Sequence, residues 1–285
     1  MVWKREKGSG QRGQVDADRA VQGRRASRLG GILPQEHGSW IMFGISSISG
    51  LLAAGRGWGW GALAVGVALL FFVSRRPLSL YLRGRERRFL AWGMGLMGGG
   101  GALALLLLAE RRWLVVPLGM AGAGLMALDL WRVRVTARPT AWSEAAGVAG
   151  LALVSSLVYY SATGEWDQKA TTLFLACLLH YLSAVSFVRT KASWVAIPSA
   201  DLVARVRRGW PNLLAQAAIM GAARGLDGLG IMIPGSWVAL LPAFIRGFGG
   251  GLFGKRERNF VLVGLKETGY SLIFLLLLLW MVRNP

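Results

Sequence analysis

The chain has 285 residues, 54% of them hydrophobic, with a mean hydropathy of +0.45 and a formal net charge of +19. Its apolar residues fall in long runs, not in amphipathic stripes, which describes a membrane protein and excludes a soluble enzyme. The positive charge lies between those runs and is not gathered in one domain, so a nucleic-acid surface is excluded, and the single Cys177 excludes an internal disulfide.

Residues 1–30 are rich in Arg, Gly and Gln and hold no cleavable hydrophobic region. They are expected to form a disordered basic cytoplasmic tail, ahead of a transmembrane helical domain over 31–285. The fold class that follows is all-α, a polytopic transmembrane bundle of about nine spans. Charge clusters and Gly or Pro breaks place the spans at 38–54, 57–73, 89–108, 113–130, 144–161, 170–188, 211–224, 229–245 and 260–282. The seventh is short and polar. Glycines such as Gly93, Gly95 and the run from Gly98 to Gly101 suit close helix approach, because lipid supplies no hydrophobic drive between helices.

Cytoplasmic loops hold an excess of Lys and Arg, so the 33 basic residues set the orientation. Alternate loops counted from the tail take most of them, including Arg75, Arg76, Arg189, Lys191 and Arg246, and few remain on the other side. The acidic turn at Glu165 and Asp167 also falls outside, as does the C-terminus. A bacterial inner membrane suits this plan.

Ionisable groups within spans are costly unless paired or hydrated, so each is a candidate. Glu36 and His37 stand in the stretch Pro34 to Trp40 that opens the first span at the cytoplasmic face. They read either as the wall of a polar site or as an interfacial helix start. Glu144 opens the fifth span, where a carboxylate also suits the helix dipole. His180 is expected about 12 Å deeper than the cytoplasmic end of the sixth span, at 1.5 Å per residue. A lone His there more often bonds a neighbouring helix than ligates a metal. Glu267 and Lys266 point to different faces, so Glu267 needs another partner. Asp129 and Arg132, three apart, are expected to pair. The guanidinium forks of Arg75 and Arg76, with Arg189 and Lys191, would suit an anionic headgroup or diphosphate at the cytoplasmic rim, provided that the second and sixth spans are neighbours.

The stretches Pro34 to Trp40, Glu144 to Gly147, Tyr181 to Arg189 and Gly264 to Gly269 followed by Tyr270-Ser271-Leu272 resemble the YwiC-like family of integral membrane proteins. The nine-span plan is also similar to the UbiA superfamily of intramembrane prenyltransferases, whose resemblance implies an isoprenyl diphosphate held through Mg²⁺ by two aspartate-rich motifs after spans two and six. At those positions this chain has Ser74 to Leu78 and Phe187 to Ser193, with no aspartate. Arg and Lys there would repel Mg²⁺ and attract the anion itself, so Mg²⁺ is not expected at the usual aspartate positions and no cofactor is expected.

The leading expectation is therefore a UbiA-like bundle that binds an isoprenoid, quinone-type or other lipid-like ligand with its head at the basic rim. Glu36, His37 and Glu144 would carry acid–base or positioning roles in a divergent transferase, and Arg75, Arg76, Arg189 and Lys191 would hold the head. A transporter or permease is the alternative, resting on His180 and Glu267 inside the bundle. A structural subunit of a respiratory complex, with other membrane proteins as partners, is the third.

Overall fold

A computed structural model describes residues 37–135, 141–194, 202–252 and 260–284. The expected tail over 1–30 and Glu36 lie outside the described residues. Among the described residues the chain is helical apart from short connections, with α1 His37–Ala54, α2 Trp58–Leu82, α3 Arg88–Ala109, α4 Val115–Val135, α5 Ala141–Thr163 and α6 Gln168–Trp194. Then follow α7 Leu202–Gly228, a 3-10 turn Ser236–Leu240, α8 Leu241–Leu252 and α9 Phe260–Arg283. The all-α bundle is thus the observed architecture.

Five helices are long and apolar enough to cross a membrane: α2, α3, nearly all of α5, α6 and the Leu262–Arg283 part of α9. α1 is apolar but shorter. The lateral surface agrees with lipid contact, since Leu105, Met120, Leu265 and Leu276 are all exposed. Exposed tryptophans gather at the two ends of the helices. Trp58, Trp113, Trp166 and Trp280 lie toward the end where α1 finishes, and Trp92, Trp131 and Trp142 toward the other. Indole rings favour the headgroup level, and two such belts bracket an apolar middle. This is an integral membrane protein.

Several boundaries depart from the sequence expectation. Helix α2 does not stop at 73 but runs to Leu82 through the buried Pro77. At 1.5 Å per residue its 25 residues reach about 37 Å, longer than the hydrocarbon core, so its last turns stand at headgroup depth. Arg75 and Arg76 are consequently helical, not in a loop. Helix α6 likewise continues to Trp194 and carries Arg189 and Lys191 on its final turns. The expected eighth span at 229–245 is not one helix. Left-handed Gly230 and Gly235 (φ 70° and 80°) turn the chain, and α8 starts only at Leu241. The seventh helix grows in compensation, beginning at Leu202 and passing through Pro211.

Helix α6 takes the centre, packed on α1, α5, α7, α8 and α9. Around it Leu173, Ala176 and Leu179 meet Met232, Leu240, Phe274 and Leu278 in one apolar core. A second core joins α2 to α3, α4 and α5 through Ala64, Phe72, Leu107, Val115 and Val158. The start of α6 is fixed by Asp167, whose Oδ1 accepts the Ala170 amide at 3.0 Å and whose Oδ2 accepts the Tyr159 hydroxyl at 2.8 Å. Beside it Gln168 donates to the carbonyls of Gly230 and Met232, at 2.8 and 3.0 Å, which ties the turn before α8 to α6.

Candidate functional site

The polar groups of the bundle collect where α6, α7, α8 and α9 meet. Asn212 and Gln216 are four apart on α7, hence on one face, and both are buried. Asn212 Nδ2 donates to the Gly247 carbonyl at 2.8 Å, and Gln216 Nε2 donates to the Ser183 carbonyl at 3.1 Å. Ser183 Oγ donates to Gln216 Oε1 at 2.7 Å, and Ser186 Oγ to Asn212 Oδ1 at 3.0 Å. Two glycines let α8 come this close. A Cβ on Gly247 would meet the Gln216 amide at 2.5 Å, and one on Gly250 would meet the Phe187 ring at 2.7 Å.

Into this network α8 projects Arg246, 8% exposed. Its Nη1 pairs with Glu267 Oε2 on α9, and its Nη2 reaches Ser183 Oγ at 3.4 Å. The guanidinium lies over two rings, with Cζ 4.8 Å from the Phe187 centroid and 5.3 Å from the Tyr270 centroid. Among the described residues, Arg246 Nε and Glu267 Oε1 are buried with no hydrogen-bond partner. The pair is therefore made through one atom of each group, and each keeps an unused one.

One turn further along α9, Ser271 Oγ meets His180 Nε2 at 3.0 Å. The His180 ring stacks on Phe274 with centroids 4.1 Å apart, and its Nδ1 is buried with no partner among the described residues. His180 thus bonds a neighbouring helix, as a lone intramembrane His more often does. Toward the end of α6, the buried Lys191 places Nζ over Trp194 at 4.9 Å and Phe187 at 5.4 Å. Phe187 is therefore shared by two cations.

The remaining candidates lie apart from this network. Arg75 Nε pairs with Asp129 at 2.7 Å, joining α2 to α4, so Asp129 does not pair with Arg132 as its spacing suggests. Arg132 lies over the Trp131 ring instead. Arg189 Nε pairs with Glu144 Oε2 at 2.9 Å, joining α6 to α5 and uniting two candidates that the sequence gave different roles. Helices α2 and α6 each pack on α5. Arg76 follows Arg75 on α2, half-buried. His37 is the first residue of α1, with its side chain outside the described part. Among the described residues no group of three or more His, Cys, Asp or Glu comes together as a metal site.

Sequence reasoning missed Arg246, which it placed in a loop, together with Asn212, Gln216, Ser183 and Ser271. Two signals pointed to them. Glu267 lacked a partner on its own helix, and the Asn212–Gln216 spacing marks one polar face on an otherwise apolar turn.

A family model described as YwiC-like protein matches residues 33–159. That region takes in α1 to α4 and most of α5, with the Arg75–Asp129 pair and Glu144. No curated protein and no solved structure matches the chain.

Proposed function

We propose that this YwiC-like membrane protein binds an isoprenoid, quinone-type or other lipid-like amphiphile, with its polar head at the basic end of the bundle. The carrying observation is Lys191, 5% exposed and laid over Trp194 and Phe187, a cation drawn into the apolar wall at the end where Arg75, Arg76 and Arg189 also stand. An apolar tail among aromatic rings beside a cation is the chemistry that recognises an amphiphile with an anionic or strongly polar head. The UbiA-like plan belongs to the same reading, without Mg²⁺ at the positions where that superfamily carries its aspartates. If a reaction occurs, Glu144, held by Arg189, and Glu36 and His37 would position or protonate the lipid.

Native mass spectrometry with lipid extraction tests this. Wild-type protein in mild detergent should retain an isoprenoid or quinone that the Arg76→Ala, Arg189→Ala variant loses while still folded. Equal retention of bulk phospholipid alone by both forms would remove the rim-binding model.

The same reading puts the basic end in the cytoplasm of a bacterial inner membrane and the C-terminus outside. In a Cys177→Ser background, a cysteine at Glu165 should react with a membrane-impermeant maleimide in intact cells. One at Arg85 should react only after permeabilisation. The reverse pattern would invert the topology.

A permease is the second reading, favoured by the Arg246–Glu267 pair and by the broken passage through the 3-10 turn and α8, since discontinuous helices often frame transport sites. Uptake into proteoliposomes that depends on Glu267 would establish it.

A further inference from the structure

We propose that Arg246 and Glu267 form an exchangeable pair: the anionic head of the bound amphiphile takes the place of the Glu267 carboxylate on Arg246, and Glu267 takes up a proton as it leaves. This rests on the amphiphile reading above, but places the anion of the head deeper than the rim guanidiniums, on Arg246, which shares the Phe187 ring with Lys191.

The geometry carries it in three steps. Arg246 is more than nine-tenths buried, and its guanidinium is in contact with the faces of Phe187 and Tyr270, which hold the cation in place whichever anion it faces. Its bond to Glu267 uses Nη1 and Oε2 only, while Nε and Oε1 have no partner among the described residues. A head with two or more anionic oxygens, phosphate or carboxylate, would engage both edges of the fork, which the Glu267 carboxylate does not do. The third step is charge. Arg246 and Glu267 together are neutral, and once an anionic head takes the guanidinium the displaced, largely buried Glu267 carboxylate loses its counter-charge, so it is discharged by taking up a proton.

The proton comes from solvent and no bond other than O–H is formed. The groups that bear on Glu267 are few. Helix α8 supplies Arg246; α6 supplies His180, bonded to Ser271 one turn along α9, and Lys191 beyond Phe187; α9 itself carries Tyr270 and Lys266. The described side chains of α1 add no titratable group. Helix α8 suits the exchange, for it has only 12 residues and carries glycines at 247 and from 249 to 251.

The test is titration calorimetry of detergent-solubilised full-length protein with farnesyl phosphate, repeated in buffers of different ionisation enthalpy so that protons are counted. Wild type should take up about one proton per ligand more than Glu267→Gln does, the subtraction cancelling the titration of the phosphate itself. Wild-type affinity should accordingly rise as pH falls, and that of Glu267→Gln should rise less. The Arg246→Met, Glu267→Met double variant should not bind. Equal proton counts in wild type and Glu267→Gln would overturn the exchange while leaving the amphiphile site standing. Inorganic phosphate should bind about a hundredfold more weakly, because it buries no methylenes. If it binds as tightly and with the same proton count, the exchange holds and the lipid reading falls. Absence of farnesyl phosphate binding to wild type would overturn both.

Discussion

Arg246→Met should destabilise the detergent-solubilised protein by about 3–5 kcal/mol, and adding Glu267→Met should restore most of that loss. The single change leaves the Glu267 carboxylate on α9 without its ion-pair partner, at 13% side-chain exposure. An isolated buried charge is expensive because no protein dipole replaces its hydration. Removing both charges eliminates the desolvation cost along with the attraction, and Met fills similar volume, so the double variant is expected near wild type. Glu267→Met alone should cost less than Arg246→Met, since the stranded guanidinium keeps its contacts with the Phe187 and Tyr270 rings and with Ser183 at 3.4 Å. Thermal unfolding followed by tryptophan fluorescence, with all four forms in one detergent, gives the coupling between the two sites. Additive losses in the double variant would mean that α8 and α9 are not joined through this pair.

Why the pair escaped the sequence is a matter of distance along the chain. Apolar runs and charge clusters report what each segment does alone, and they placed α1, α3, α5 and α6 within a few residues of their observed starts. They failed where a charge sits on a helix. Arg75-Arg76-Pro77 reads as a break, yet α2 continues for about two turns because long basic side chains can extend into headgroup water from a helical backbone. The same cue sent Arg246 to a loop, and the error at 229–245 followed, since α8 begins only after Gly235 and the 3-10 turn. Pairings were harder still. Asp129 has a basic residue three positions on, but its observed partner Arg75 is 54 residues away, and nothing in local spacing ranks one above the other. His180 and Glu267 were legible as costly intramembrane groups; Ser271 and Arg246, which answer them, required the packing of α9 and α8 on α6.

That packing depends on small residues at particular positions, and the largest loss outside the ion pair is expected at Gly50→Leu. Gly50 is buried on α1 against the backbone of α5. A Cβ there would run into the Ser155 carbonyl oxygen, come within 2.9 Å of Val158 Cβ and within 3.1 Å of the Tyr159 amide nitrogen. Backbone atoms cannot swing aside as a flexible side chain can, so the two helices must separate. Separation also strains the bonds from α1 to α6, Ser46 Oγ to Tyr181 Oη at 2.7 Å and Ser49 Oγ to Cys177 Sγ at 3.9 Å. Overpacking of this kind costs about 3 kcal/mol, at the upper end of its usual range. Cys177 supplies the readout, because it is the single cysteine and is fully buried beside Ser49. Wild-type protein in detergent should resist maleimide for hours, and Gly50→Leu should react rapidly. Gly44, on the same helix with nothing within 4 Å of an added Cβ, sets the control. Gly44→Ala should label as slowly as wild type and unfold at the same temperature. If Gly50→Leu behaved like Gly44→Ala, the α1–α5 contact would not be what seats α1, and the path from Ser46 through Tyr181 to the polar network on α6 would lose its support.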